Sequence, residues 1–290
     1  MPMMLVLLTA CGGGGGDVAS TPTPPSGPSF TYATLATAGQ SQSLTAQAVV
    51  LTSSRTATAS MPKVTANRAA FEVAYDPTTK TYALRGTPTT ASSKFIEQSF
   101  GPANQVAGQP GNYDKTVVNG NTTTVNRLSL GTTLTYTGYG QWDNGSTVDA
   151  AQNFDTYHFV YGIRTQQGDL PKSGSASYAL QLNGSAQGAS VTGNGSMTAD
   201  FAAGTVGVSI APGYLYRAGQ TVTPFATLTG NGKIDSAANT FQSALAGGGY
   251  TGAIDGAFFG PQAAEAGGAF TVTAGDGSVA AAGVALGKRN

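Results

Sequence analysis

The chain has 290 residues, of which 10% are charged, 40% apolar and 41 glycine, with a formal net charge of zero and a pI near 6.5. That length leaves room for one large all-β domain or two small ones, and so little charge excludes a coiled coil or long-helix protein. The neutral balance gives no broad attraction to nucleic acid, so nucleic acid is not expected as a partner.

The first eleven residues, MPMMLVLLTAC, are an apolar run ending in Leu8-Thr9-Ala10-Cys11. Small residues before Cys11 suit a signal peptidase. The run is short for a signal-peptide core and no Lys or Arg precedes it, which predicts a start codon further upstream or a truncated N-terminus. The tetrapeptide resembles the bacterial lipobox, whose cysteine is lipidated and becomes the first residue of the mature protein. The other reading is a chance Leu-x-Ala-Cys in a poor signal peptide. Cys11 is the only cysteine, so lipidation would leave the folded part without thiols or disulfides. Several acyl chains, each contributing roughly 0.8 kcal/mol per buried CH₂, hold a protein firmly on a bilayer. No other apolar stretch approaches the ~20 residues of a spanning helix. The expectation is a lipid-anchored protein. Residues 12–29, five glycines followed by Pro, Ser and Thr, read as a flexible linker.

From Phe30 the chain reads as strands. Residues 71–86 put Phe71, Val73 and Tyr75 on one face, turn at Asp76-Pro77 and return with Tyr82 and Leu84, a hairpin signal. Residues 93–105 are the best helical candidate of this half, with Phe95, Ile96, Ser99 and Phe100 near one face. Residues 127–145 place Leu128, Leu130, Leu134 and Tyr136 in alternation and predict a turn at Asn144-Gly145. Residues 156–162 set Tyr157, Phe159 and Tyr161 against His158 and Val160.

A polar connector at 164–174 leads into strands at the short, regular spacing of a sandwich or barrel. Ala176, Tyr178, Leu180 and Leu182 share a face, as do Met197, Ala199 and Phe201, then Val206, Val208 and Ile210. Asn231-Gly232 is predicted to turn, and further strand runs follow at 251–259, 269–274 and 278–286. About eight strands from Ser175 onward suffice to close a small barrel filled by its own side chains. Between the last runs, Pro261 to Ala266 predict one helical turn stopped by Gly267-Gly268, with Glu265 free to bond backbone N–H groups at the turn or in a neighbouring loop.

The chemistry is sparse. His158 is the only histidine, so no multi-histidine metal site and no metal cofactor is expected. Between Tyr157 and Phe159 it reads as a structural or surface residue; the alternative is haem ligation aided by a nearby tyrosine, which makes it a weak ligand-binding candidate. No close pair of acidic residues suggests a glycosidase dyad. Asp143-Asn144-Gly145 and Gly275-Asp276-Gly277 resemble fragments of calcium loops but read better as turns. Gly193-Asn194-Gly195 and Gly230-Asn231-Gly232 read as hairpin turns, with no helix behind them to cradle a phosphate. Trp142 and the tyrosines of 127–161 are either core or a binding face. No catalytic residue is assigned, and the chain does not read as an enzyme.

The stretch GAFFGPQAAEAGGAF (256–270), followed by a final run ending GVALGKRN, resembles the closing segment of the transferrin-binding protein B type barrel. Gly256, Phe258, Phe259, Gly260, Pro261, Ala263, Glu265, Gly267, Gly268 and Phe270 match that pattern, which is read as structural. The connector with Asp169, Pro171, Ser173, Gly174 and Tyr178 is similar to the segment entering that barrel, and LTYTGYGQWDNG (134–145) is similar to part of the preceding handle domain. The resemblance implies an all-β chain: a β-rich handle domain at 30–166, then an eight-stranded antiparallel barrel with a filled interior at 167–290, behind a signal segment (1–11) and linker (12–29). Members are surface lipoproteins of Gram-negative bacteria, including transferrin- and lactoferrin-binding proteins, haemoglobin–haptoglobin accessory proteins, factor H binding protein and secreted haem carriers. The transferrin binders have two lobes and long loops; this chain has room for one lobe, and none of their binding residues has a counterpart motif here.

The resemblance implies a non-catalytic, monomeric lipoprotein, anchored through Cys11 to the outer membrane at the cell surface or periplasmic face. It would bind a partner protein or an iron or haem source in nutrient acquisition and present it to an outer-membrane receptor. The competing expectation, from the neutral surface and short connections, is an envelope structural or adhesive lipoprotein with no soluble ligand.

Overall fold

In the computed structural model, residues 30–35, 42–59, 63–86, 96–131, 134–186, 189–216, 219 and 221–290 are described. Leu8, Thr9, Ala10, Cys11 and the linker 12–29 lie outside them. Among the described residues there are strands and two 3₁₀ turns, and no α-helix. The strands form two sheets, and Tyr32–Asn290 make up one compact unit.

The N-terminal sheet has ten strands: β1 (Gln42–Arg55), β2 (Lys63–Ala69), β3 (Phe71–Asp76), β4 (Thr81–Gly86), β5 (Ile96–Phe100), β6 (Asn112–Asp114), β7 (Val117–Asn119), β8 (Thr122–Leu130), β9 (Thr137–Val148) and β10 (Ala151–Gly162). Its order is β5-β4-β3-β1-β10-β9-β8-β6, with β2 beside β1 and β7 beside β8. A Gln105–Tyr113 bridge joins the segment after β5 to β6, so the two ends of the sheet come together. Inside this roll Phe71, Trp142, Tyr157 and Phe159 stack, with ring centroids 4.6–6.0 Å apart. Aromatic pairs at these spacings add to the large area they bury. Trp142 and the tyrosine at 157 are therefore core and not a binding face.

The hairpin at 71–86 forms as read. Asp76 Oδ1 accepts the Thr78 N–H at 2.8 Å, the Asx turn that this sequence favours. The helix expected at 93–105 does not form: 93–95 lie outside the described residues, Ile96–Phe100 is a strand, and only Pro102–Asn104 make a 3₁₀ turn. Strand alternation wins there because Phe100 is buried in the aromatic core, while Glu97 on the other face meets Arg85 at 3.1 Å.

Eight strands then close a barrel: β11 (Ser175–Ala186), β12 (Ala189–Asp200), β13 (Thr205–Leu215), β15 (Leu228–Asp235), β16 (Thr240–Gly247), β17 (Tyr250–Phe259), β18 (Glu265–Thr273) and β19 (Val279–Arg289), with a two-residue strand β14 (Thr223–Pro224) beside β13. All neighbours are antiparallel, and β11 pairs with both β12 and β19, which completes the circle. Alternation fills the interior. Ala176, Tyr178, Leu180 and Leu182 point in, as do Val206, Val208 and Ile210, while Phe258 lies between Tyr178, Phe201 and Phe241. Closure leaves no edge for another chain to extend.

The expected Asn-Gly turns are corrected. Asn144-Gly145 lies mid-strand in β9, paired on both sides, and Asn231-Gly232 lies within β15. Gly193-Asn194-Gly195 is likewise inside β12, and Asp143 is a strand residue and not a turn residue. The glycines serve close approach: a Cβ at Gly230 or Gly232 would lie within 1.9 Å of a carbonyl oxygen of β16. The turn after β9 is Asp149-Ala150, both at positive φ, and the one after β15 begins at Asp235. Gly275-Asp276-Gly277 is a turn, with Asp276 accepting the Ser278 N–H at 2.9 Å.

Candidate functional site: the junction behind the closing motif

Most barrel strands bury one face, but β17, β18 and β19 bury both along part of their length. The second face packs on the N-terminal sheet. Val49, Leu51 and Val160 from β1 and β10 meet Ala257, Phe259, Ala269, Ala282 and Val284 from the barrel in one apolar cluster. The closing motif builds both sides. Phe258 and Phe270 enter the barrel, while Phe259 points out to the sheet. Gly256 leaves room for the Phe241 ring, and Gly267 for Val160, whose Cγ1 would stand 2.7 Å from a Cβ. Gly260 has φ +68 and faces the Tyr136 ring, 2.3 Å from where a Cβ would be. Only glycine meets both demands at that position.

The helical turn expected at Pro261–Ala266 is shorter than read. Pro261–Ala263 form a 3₁₀ turn, strand resumes at Glu265, and Gly267-Gly268 lie inside β18 and not at a stop. The physical reason is a left-handed kink, with φ +52 at Gln262 and +56 at Ala263. Such residues need outside support. Asp169 supplies it: Oδ2 accepts the Gln262 backbone N–H at 3.0 Å, and its carbonyl and Oδ1 accept the Gln262 side-chain amide. Tyr178 donates its hydroxyl to the Ala263 carbonyl at 2.8 Å.

Polar latches surround the apolar contact. Glu265, 4% exposed, accepts the backbone N–H groups of Thr135 at 2.9 Å and Tyr136 at 3.0 Å. Tyr32 donates to Asp169 Oδ2 at 2.6 Å and accepts from the Gln166 N–H at 2.8 Å. Burial, then the bond to Asp169, push the Tyr32 phenol up to about 12. Arg164 donates to the Asn239 carbonyl at 3.1 Å, and Asn239 donates to the Thr165 carbonyl at 2.6 Å. Arg68 of β2 meets Asp255 of β17 at 2.5 Å.

His158 lies in the same junction, fully buried, with Nε2 3.0 Å from Ser185 Oγ on β11. Burial pulls its imidazole down to about 4, so the ring is neutral at ordinary pH. A serine next to a histidine resembles a nucleophile and its base. Here Nδ1 has no hydrogen-bond partner, so no acidic residue orients the ring, and no surface reaches it. Its position is that of a packing residue. Asp143, on the same face of the sheet, accepts from Thr156 at 2.8 Å and from Gln141 at 3.0 Å, and burial raises its carboxyl above the usual range. Among the described residues no cluster of His, Cys, Asp and Glu could hold a metal ion.

The residues that reading the sequence missed are Tyr32, Arg164, Asp169 in its supporting role, and Asn239. Each acts on a partner more than seventy positions away, and only the Gly-Pro kink hinted that something must hold it. A cleft of about 540 Å³ lies beside the junction, lined by Gln47, Lys233, Asp235, Gln242 and Asp255 among others. Asp235 Oδ1 already accepts from the Ala237 and Ala238 N–H groups, and Asp255 is held by Arg68.

Residues 128–287 match the family model described as the C-lobe and N-lobe beta barrels of Tf-binding protein B. Among curated proteins none matches the chain in sequence. Solved structures that resemble it include a double mutant of the vaccine antigen transferrin-binding protein B from Haemophilus parasuis Hp5, at 17% identity and TM-score 0.39, covering 77% of this chain and 54% of that one. Another is the N-lobe domain of lactoferrin-binding protein B of Moraxella bovis, at 13% identity and TM-score 0.36, covering 56% and 79%. A third is the isotype 1 transferrin-binding protein B from serogroup B Neisseria meningitidis, at 14% identity and TM-score 0.36, covering 77% and 53%. The chain thus spans about half the length of the Haemophilus and Neisseria proteins. The matched segment takes in more than half of this chain, from β8 to nearly the end of β19, and so contains the closing motif and the junction strand β10, while β1 precedes it. The chain belongs to the family of transferrin-binding protein B beta barrels.

Proposed function

We propose that this protein is a non-catalytic surface lipoprotein that binds a partner protein or an iron or haem source in nutrient acquisition. Family membership through the barrel is the observation that carries the reading, and the lipobox-like Leu8-Thr9-Ala10-Cys11 agrees with it. In this reading 1–11 are the signal segment with Cys11 as lipid attachment site, 12–29 the linker, 30–166 the handle and 167–290 the barrel. Anchored to the outer membrane of a Gram-negative cell, the monomer presents its cargo to an outer-membrane receptor. Transferrin and lactoferrin are the first proteins to test, since similar solved proteins are named for binding them.

The test immobilises the full chain and measures retention of transferrin and lactoferrin, alongside a haemin titration repeated with His158→Ala. Retention of either protein, or a Soret shift on binding, supports the reading. Absence of all of these, with unchanged growth of a deletion strain on haem or iron-loaded carrier as sole iron source, overturns it. Metabolic labelling with radioactive palmitate, lost in Cys11→Ala, tests the anchor.

A second reading is an envelope structural or adhesive lipoprotein without soluble ligand. The short barrel connections favour it, since residues 248–249 and 236–239 suffice to join their strands. It predicts that deletion alters envelope integrity or surface attachment and leaves iron-limited growth unchanged.

A further inference from the structure

Five Asn-Gly pairs occur in the chain: 119–120, 144–145, 183–184, 194–195 and 231–232. They share one latent reaction. The backbone nitrogen of the glycine can attack the asparagine side-chain Cγ, and the amide nitrogen leaves as ammonia, taking the proton that the glycine nitrogen gives up. Water then opens the five-membered imide to aspartate or to its β-linked isomer. No oxidant or cofactor is needed. The attack does need a glycine N–H free of the ladder and a backbone loose enough to swing the asparagine ψ away from the extended value of about +135°.

The fold withholds both conditions from four of the pairs. Asn144-Gly145 is bracketed by β8 and β10, Asn183-Gly184 by β12 and β19, and Asn194-Gly195 by β11 and β13. Asn231-Gly232 is paired to β13, and Gly232 also to Ser243 of β16. Asn119-Gly120 is different. Asn119 ends an edge strand, pairs on one side only, with Thr122, and is followed by the two-residue turn Gly120-Asn121. Residues 117–120 are exposed, Gly120 has φ +57, and a Cβ there would meet nothing within 4 Å.

We propose that Asn119 is a site of spontaneous deamidation, a self-modification that the fold denies to the other four pairs. The product places a carboxylate at the turn where Asn121 donates to Asp149 at 2.7 Å, beside the exposed Val117 and Val118. The tip of the N-terminal sheet thereby gains negative charge at the turn that Asn121 ties to the Asp149 carboxylate. The β-linked isomer also adds a methylene to the backbone and breaks the Asn119–Thr122 register.

The test incubates the full chain at mildly alkaline pH, natively folded and in urea, and maps deamidated peptides by mass spectrometry over time. In the folded protein Asn119 should react at least about tenfold faster than each of the other four. Tenfold corresponds to about 1.4 kcal/mol, less than the opening of a doubly paired strand requires. In urea the five rates should converge. Native rates at Asn194 or Asn231 that equal the rate at Asn119, or a native Asn119 that stays intact while it reacts in urea, overturn the proposal.

Discussion

His158 Nε2 and Ser185 Oγ stand 3.0 Å apart across the boundary between the N-terminal sheet and the barrel, and the imidazole is wholly buried there. Its ring titrates near 4 when folded and near 6.5 when unfolded. Between those values the unfolded chain binds a proton that the folded chain refuses, so stability falls as pH drops through this window. The loss should reach roughly 3 kcal/mol at the acid end. Asp143, Asp155 and Asp255 have carboxyls raised by burial and act with the opposite sign, gaining stability on acidification through the carboxylate range. Urea denaturation at pH 7 and 4.5 should show the loss in wild type and a smaller one in His158→Gln. Equal pH dependence in the two proteins would rule out this histidine as the cause.

Glu265 serves two successive backbone donors, Thr135 and Tyr136, from a nearly buried position. Replacing it by alanine leaves both N–H groups without an acceptor, at a cost of about 2–4 kcal/mol. Glu265→Gln keeps one acceptor oxygen and should lose about half as much. Urea midpoints with unchanged slopes would report these values.

Asp169 holds a backbone kink through one carboxylate. Asp169→Ala should cost about 2–3 kcal/mol, because it releases Gln262 from φ +52 and leaves the Tyr32 hydroxyl without its acceptor. Tyr32→Phe removes only the hydroxyl and should cost about 1 kcal/mol. Thermal unfolding of the two single variants and the double variant would show the coupling, since Tyr32→Phe should have little further effect once Asp169 is gone.

Gly267 is a contact surface for Val160. Gly267→Leu forces the sheet off the barrel and should destabilise by about 1–3 kcal/mol. The same substitution at the half-buried turn residue Gly204, where a Cβ meets nothing within 4 Å, separates crowding from strain, because φ there is +66. Native-state hydrogen exchange should show new openings in β10 and β18 only for Gly267→Leu.

Much of the architecture was legible because one-sided burial writes itself as alternation. Ala176, Tyr178, Leu180 and Leu182 are the clearest case. Strands buried on both faces lose that signature, so the AAAGVAL run of β19 and the motif around Phe258 and Phe259 identified strands without telling which face met what. The resemblance to the family supplied the missing context. The Asn-Gly turns were misread because hairpin statistics describe strand ends, whereas here a curved barrel uses glycine mid-strand for close approach. Asp149-Ala150 carries no comparable turn signal, and the long β9–β10 pairing places it. The junction's latches were invisible for another reason: hydrogen bonds between Tyr32 and Asp169, or Glu265 and Thr135, have no local pattern to reveal them.

Phe259, Ala257, Ala269 and Val284 lie on the outside of a closed barrel, yet the N-terminal sheet covers them. A gene rearrangement that carried the barrel away by itself would give its product a sticky apolar flank, and one that carried the sheet alone would strand Val49, Leu51 and Val160 in water. A rearrangement that keeps both halves out of trouble with water therefore moves sheet and barrel together, or exchanges only turns and rims where neither face is shared.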